Sequence, residues 1–244
     1  MKKKLVMLTA YDYPTAKIID EVGIDYILVG DSLAMVVLGH KDTKSVTMAE
    51  MIHHTKAVAR GVKNTLVIGD MPIHTYDTPK TAIKNAKLFL KAGAHMVKIE
   101  GYKPEIIKAL RKENIRVVGH LGLLPQTARQ YKVQGKDEKE AQKILYDAIN
   151  IDKLGIELLI LECVPTALAK KITSSIKTPT IGIGAGPYCS GQVLVLHDII
   201  GLSGFEGKMV KRYGNVKEEI RRAVSSFKKE VILARFPGSK HSFK

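Results

Sequence analysis

About eight short runs of Val, Ile and Leu alternate with helix-like stretches, and this alternation limits the possible folds more than any other feature of the chain. The runs fall at Lys4–Tyr11, Tyr26–Gly30, Thr65–Gly69, His95–Ile99, Ile115–Gly119, Leu158–Leu161, Thr180–Gly184 and Gln192–His197. They hardly alternate apolar with polar residues, which suits parallel strands covered on both faces. Helix signals separate them. Tyr13–Val22 stops at Gly23. Thr47 and Glu50 are spaced as a capping box for a helix ending at Gly61, and Thr78-Pro79 opens another that ends at Gly93. From Asp137 to Gly155 an apolar stripe runs through Ala141, Ile144, Ala148 and Ile151, and an amphipathic helix closes the chain from about Val216 to Ala234. No linker-like composition interrupts the 244 residues, so the pattern predicts a single (β/α)8 barrel domain over residues 1–244. An open doubly wound sheet shares the alternation, but no Gly-x-Gly-x-x-Gly opens a first helix.

The formal charge of +15 raises the alternative of a basic nucleic-acid-binding protein. The basic residues are dispersed: Lys84, Lys87 and Lys91 in one segment, Lys170, Lys171 and Lys177 in another, Arg221, Arg222, Lys228 and Lys229 in a third. None forms a block interleaved with aromatics, so a solvated Lys-rich surface is the simpler reading and no nucleic-acid partner is expected. No apolar run is long enough for a membrane span, and the basic stretch from Met1 leads at once into the first strand rather than into a signal peptide. The two cysteines, Cys163 and Cys189, supply neither a disulfide framework nor a metal-ligand spacing, and a cytoplasmic location is expected.

Acidic residues stand where four of the strands run out: Asp31 after ILVG, Asp70 after LVIG, Glu100 after MVKI and Glu162 after LLIL. Parallel α/β folds bind ligands at the carboxyl ends of their strands, and a carboxylate there is costly to desolvate without a partner. Lys98 lies two residues before Glu100, so both side chains share one strand face. Asp31, Asp70 and Glu100 are hard oxygen donors with no cysteine pair or His cluster nearby, which favours Mg²⁺ over Zn²⁺. A 2-oxo acid could chelate such an ion, with Lys98 beside its carboxylate. Glu162 would be the separate general base that removes the adjacent C–H proton, a role its apolar run suits.

Each residue alone has a plainer reading. Asp31 and Asp70 could be turn or capping residues, and Lys98 with Glu100 a structural ion pair. His120, near the fifth strand end, could be a core histidine, and Glu162 could face a helix or a subunit. Gly182–Gly186 could approach a ligand or serve tight packing, and Cys163 is read as a structural cysteine.

The chain resembles the ketopantoate hydroxymethyltransferase (3-methyl-2-oxobutanoate hydroxymethyltransferase) family. The resemblance rests on LTAYD at Leu8–Asp12, LVGDSL at Leu28–Leu33, MVKIEG at Met96–Gly101, GHLGL at Gly119–Leu123 with Pro125-Gln126, and YKVQG at Tyr131–Gly135. It continues through LECVP at Leu161–Pro165, GIGAG at Gly182–Gly186, GQVLV at Gly191–Val195 with His197-Asp198, and HSF at His241–Phe243. It spans nearly the whole chain, which implies a complete protein. It implies Mg²⁺ on Asp31, Asp70 and Glu100, substrate held by Asp31, Ser32, Asp70 and Lys98, Glu162 as proton acceptor, and His120 nearby without an assigned role. The implied reaction belongs to pantothenate, and so coenzyme A, biosynthesis. It moves a hydroxymethyl group from 5,10-methylenetetrahydrofolate to 3-methyl-2-oxobutanoate, giving 2-dehydropantoate and tetrahydrofolate, in a homodecamer built as a pentamer of dimers. The chain departs from the family pattern at Arg129-Gln130, where a Gly pair is usual, at Ser190 and at Lys240. A Mg²⁺-dependent lyase or mutase of the same barrel type is the rival enzyme reading. Such enzymes tend to carry a reactive loop cysteine, and Leu121–Gly135 has none.

Overall fold

A computed structural model describes residues 3–243, so Met1 and Lys2 of the basic N-terminal stretch lie outside it. Eight parallel strands close into a barrel in sequence order, with the eighth back against the first. The order is β1 (Leu5–Thr9), α1 (Tyr13–Val22), β2 (Tyr26–Val29), α2 (Leu33–Val36), α3 (Met48–Gly61), β3 (Leu66–Asp70), α4 (Pro79–Lys91) and β4 (Met96–Glu100). Then follow α5 (Pro104–Lys112), β5 (Val117–Gly122), α6 (Glu138–Asp152), β6 (Leu158–Glu162), α7 (Thr166–Ser175), β7 (Thr180–Ile183) and β8 (Gly191–Leu194). The (β/α)8 barrel read from the alternation is therefore present. The described residues divide into two compact units, one up to Val195 with the barrel and one from Leu196 onward. The second holds α8 (Leu196–Ile199) and α9 (Val216–Ile232).

Local chemistry explains the helix starts. Thr47 accepts from the Glu50 N–H while Glu50 accepts from the Thr47 N–H at 2.8 Å, completing the capping box of α3. Asp12, Thr78 and Asp137 cap α1, α4 and α6 in the same sense, each accepting from the N–H three residues on. The barrel interior is filled by Met7, Leu28, Ile68, Met96, Val118, Leu158, Ile160, Ile181 and Val193. This is a packed core, so any site must sit at a barrel mouth.

One carboxylate off the barrel mouth ties a helix to a strand entry. Asp20 on α1 accepts the backbone N–H groups of Lys63 (3.0 Å), Asn64 (2.9 Å) and Thr65 (2.7 Å), just before β3. Desolvation acts to raise its pKa, but the hydrogen bonds from Asn64, Thr65 and Lys63 outweigh it and bring it down to about 2. A depressed carboxylate stabilises the fold above its unfolded pKa near 3.8 and loses that contribution as pH falls through about 2. Asp20→Asn can keep Oδ1, the acceptor for Asn64 and Thr65, but loses the charge and the Oδ2 acceptor for Lys63. It should be less stable than the wild type by about 1 kcal/mol at pH 6, a value discounted for solvent screening. Urea unfolding at stepped pH should show that gap closing between about pH 4 and pH 2; a gap constant over this range would exclude the charge as its source.

Candidate active site

The inward-facing positions of several strands change from apolar to ionisable toward the carboxyl end of the barrel. Successive inward residues are two apart. They run Ile68 then Asp70 on β3, Met96, Lys98 and Glu100 on β4, Val118 then His120 on β5, and Ile160 then Glu162 on β6. The register sets Asp70 beside Lys98, Glu100 beside His120, and Gly122 beside Glu162. Asp70, Glu100 and Glu162 each end their strand, and Asp31 lies two residues past β2. His120 is within β5 rather than after it, because that strand runs on to Gly122 instead of stopping at Gly119.

These residues form a continuous chain of contacts, buried except at the partly exposed Glu162. Lys98 Nζ lies 2.7 Å from Asp70 Oδ1 and 3.6 Å from Glu100 Oε1. The Asp31 backbone N–H donates to Asp70 Oδ2 at 3.1 Å. His120 has Nδ1 3.3 Å from Glu100 Oε1 and Nε2 3.2 Å from Glu162 Oε2. Both separations are within ion-pair reach, but neither is aligned as a directed hydrogen bond, so we treat them as charge contacts. Ser32 pairs its hydroxyl with Tyr11 at 2.7 Å.

The charge states follow from these neighbours. Burial opposes the Lys98 charge, yet Asp70, Glu100 and Asp31 outweigh it and its pKa rises, so it is an ammonium. Burial likewise opposes charge on His120, but Glu100 and Glu162 push its pKa up to about 9, making it a cation at neutral pH. Desolvation, and next the adjacent Asp70, drives Asp31 well above the ordinary carboxyl range; Asp70 is also raised, chiefly by burial. Burial would raise Glu100, but Lys98, His120 and the Gln126 N–H hold it below its usual value.

Two further residues belong to the site and had no role in the sequence reading. Gln126, almost wholly buried, donates through Nε2 to Asp31 Oδ2 and to the Met71 carbonyl, both at 3.0 Å. Its Oε1 accepts from the Tyr76 hydroxyl at 2.5 Å, and its backbone N–H donates to Glu100 Oε2 at 3.2 Å. Tyr76 in turn accepts from the Glu100 N–H at 3.3 Å. One loop residue thus reaches two of the acids, Asp31 through its side chain and Glu100 through its backbone N–H. Gln126→Leu would strand three buried polar partners at about 1–3 kcal/mol each before relaxation. We expect a melting temperature lower by about 5–10 °C, as differential scanning calorimetry would show. A change under 2 °C would mean the acids are held without it.

Other residues resolve toward packing. A Cβ on Gly186 would come within 2.5 Å of Thr166 Oγ1, so close approach to α7 explains that glycine. The Cys163 thiol is pushed up to about 11, first by burial and then by Glu162, and is no thiolate at neutral pH.

Among the described residues no three His, Cys, Asp or Glu side chains converge as a ready-made metal cage. Mg²⁺ does not need one, since it is usually held by one or two carboxylates with waters completing its shell. Four carboxylates, Asp31, Asp70, Glu100 and Glu162, face two cations, Lys98 and His120. With all four ionised the balance is two positive charges short of neutral, and Glu100 Oε1 has no hydrogen-bond partner. That donor set and that deficit fit a divalent cation at Asp31 and Asp70.

A family model described as ketopantoate hydroxymethyltransferase matches residues 1–239. The 3-methyl-2-oxobutanoate hydroxymethyltransferase of Clostridium botulinum (strain Langeland) is 52% identical over 250 residues, covering 99% of this chain and 91% of that protein. The protein of the same name from Thermoanaerobacter sp. (strain X514) is 50% identical over 249 residues, with the same coverage. Among solved structures, a phosphonopyruvate hydrolase in complex with oxalate and Mg++ superposes with a TM-score of 0.63 at 13% identity, covering 98% of this chain and 88% of that one. A lyase/mutase from Burkholderia cenocepacia J2315 gives 0.63 at 14% identity, covering 98% and 86%. At such identities these structures speak for the barrel alone.

Proposed function

The chain belongs to the ketopantoate hydroxymethyltransferase family, and on that premise we propose that Glu162 removes the C3 proton of 3-methyl-2-oxobutanoate and that the resulting enolate takes up the one-carbon unit of 5,10-methylenetetrahydrofolate. The observation that carries the proposal is the separation of roles along the contact chain. Glu162 stands at its far end, reached through His120, whereas Asp31, Asp70 and Lys98 form the other end.

In this reading Lys98 and the Ser32 hydroxyl hold the substrate carboxylate. Asp31, Asp70 and Glu100 would hold Mg²⁺, which when bound supplies Lewis-acid polarisation of the 2-oxo group and stabilises the enolate. His120 Nε2 lies 3.2 Å from Glu162 Oε2 and positions the carboxylate that accepts the proton. The enolate carbon then bonds to the methylene carbon of the carrier. Both C–N bonds to that methylene break, water supplies the hydroxyl, and the C3 and water protons end on the two carrier nitrogens. The products are 2-dehydropantoate and tetrahydrofolate.

Several features bear on the alternatives. The stretch Leu121–Gly135 carries no cysteine, so the loop cysteine that a lyase or mutase of the same barrel tends to use has no counterpart there. No helix among the described residues is long and apolar enough to cross a membrane. We place the protein in the cytoplasm as a homo-oligomer, a decamer on the family resemblance, which sedimentation velocity would read directly.

The deciding experiment is proton exchange. Wild-type protein with MgCl₂ and 3-methyl-2-oxobutanoate in deuterated water should lose the C3 proton signal by NMR before any folate is added. Transfer activity without such exchange would sink the enolate route.

A further inference from the structure

We propose that the loop between β5 and α6 seats the negatively charged glutamate end of the one-carbon carrier, in a cavity served by Arg129 and Lys132. This rests on the folate-dependent reaction proposed above and deepens it. The connection runs from Leu123 to Asp137, longer than most links in compact domains, and long ordered loops of this kind commonly bind or cover ligands.

Both feet of the loop are tied to the strands that carry the acids. At the first, the Leu123 N–H donates to the Glu162 carbonyl at 2.8 Å, and Gln126 holds Asp31 and Glu100. At the second, the Gln134 N–H donates to the Cys163 carbonyl at 2.8 Å. Between the feet, residues 127–133 arch over a cavity of about 420 Å³ whose lining includes Gly122, Thr127, Arg129, Lys132 and Gln134. That volume lies within the roughly 300–1,000 Å³ common for small-molecule sites. Its floor adjoins the base: Gly122 is the register partner of Glu162, and a Cβ there would meet the Glu162 carbonyl.

Charge gives the cavity its ligand class. The two cations of the barrel mouth, Lys98 and His120, are already committed to its acids, whereas the basic side chains of this loop are not. Among the described residues neither Arg129 nor Lys132 forms an ion pair with a carboxylate. Lys44 Nζ, bonded to the Ala128 carbonyl at 3.0 Å, adds a third positive charge to the arch. Asp42, whose carboxylate accepts from the Lys44 N–H, is the acid nearest to that lysine in sequence. A guanidinium and an ammonium beside a short amide-bearing wall match a glutamate tail, whose carboxylates can each take charge-assisted hydrogen bonds.

The test compares two carriers, 5,10-methylenetetrahydrofolate and 5,10-methylenetetrahydropteroate, which lacks the glutamate. Wild-type enzyme should show a KM about tenfold lower for the glutamate-bearing carrier, the expected size of two partly exposed charge contacts. That preference should weaken as KCl is raised. The double variant Arg129→Gln, Lys132→Gln should lose both the preference and its salt dependence, while Lys84→Gln, an exposed lysine on α4, should keep them. A double variant that retains the wild-type preference overturns the tail site. Wild-type protein that neither exchanges the C3 proton nor transfers the one-carbon unit overturns the reaction itself, a distinct result.

Discussion

Glu162→Gln is expected to slow C3 deuterium exchange of 3-methyl-2-oxobutanoate by about a thousandfold, within the range that a positioned general base contributes. The amide keeps the shape of the side chain but cannot accept the proton. Its place in the structure argues for a clean effect. Glu162 makes its charge contact with His120 Nε2 at 3.2 Å and is remote along the contact chain from Lys98 and Asp70. Substrate affinity, measured by calorimetric titration with MgCl₂ present, should therefore stay within about twofold, the pattern of a lost transition-state interaction rather than lost binding. His120 keeps Glu100 as its second carboxylate at 3.3 Å, so folding should weaken by only about 1 kcal/mol. Exchange at the wild-type rate in this variant would show that the base is another group. A large loss of affinity would instead place Glu162 among the residues that grip the substrate.

Much of this arrangement was legible in the sequence because two simple periods control it. Short apolar runs separated by capped helices leave few alternatives to a parallel barrel, and the period of two in each strand puts Lys98 and Glu100 on one face. Strand ends were harder to read. A run such as Ile115–Gly119 stops where its apolar residues stop, yet β5 continues through His120 to Gly122 because its N–H and C=O groups pair with β4 and β6. Pairing with neighbours, not composition, sets that end, and it moves His120 from a loop position to the centre of the acid cluster. The short helices Leu33–Val36 and Leu196–Ile199 were missed because a single turn carries no apolar period.

Gln126 and Tyr76 escaped for a different reason. Both lie in connections, where a polar or aromatic side chain is unremarkable, and their value depends on long-range partners. Tyr76 and Gln126 are 50 residues apart, and Gln126 and Asp31 are 95 apart. No local pattern encodes such a contact. The same limit applies to the charge on His120, which follows from carboxylates on β4 and β6 rather than from any residue beside it in sequence.

The second large effect is expected at Lys98, and it is an effect on stability. Lys98→Met removes the ammonium that lies 2.7 Å from Asp70 and 3.6 Å from Glu100, all of them buried. Breaking a buried pair by removing one partner commonly costs about 3–5 kcal/mol, since the other charge is left uncompensated. Proton uptake sets a ceiling on that cost. Neutralising a carboxyl of ordinary pKa near 3.9 at pH 7 takes about 4 kcal/mol, and Asp31 and Asp70 are already displaced upward, so the real figure is smaller. We therefore expect a loss of about 3 kcal/mol at pH 7, or roughly 6–12 °C in melting temperature. The sign with pH follows from the same proton. The folded variant binds one more proton than the unfolded chain, whose carboxylates are ionised above about pH 5, so its stability falls as pH rises. The gap to wild type should narrow by about 2 kcal/mol on going from pH 7 to pH 5, each pH unit being worth up to about 1.4 kcal/mol per proton. Calorimetry at both pH values measures this, and MgCl₂ should raise the melting temperature of the variant as well as that of the wild type, because the acids it binds are untouched. A gap that is unchanged at pH 5 would mean that Lys98 acts through packing, not by balancing the acids at the mouth of the barrel.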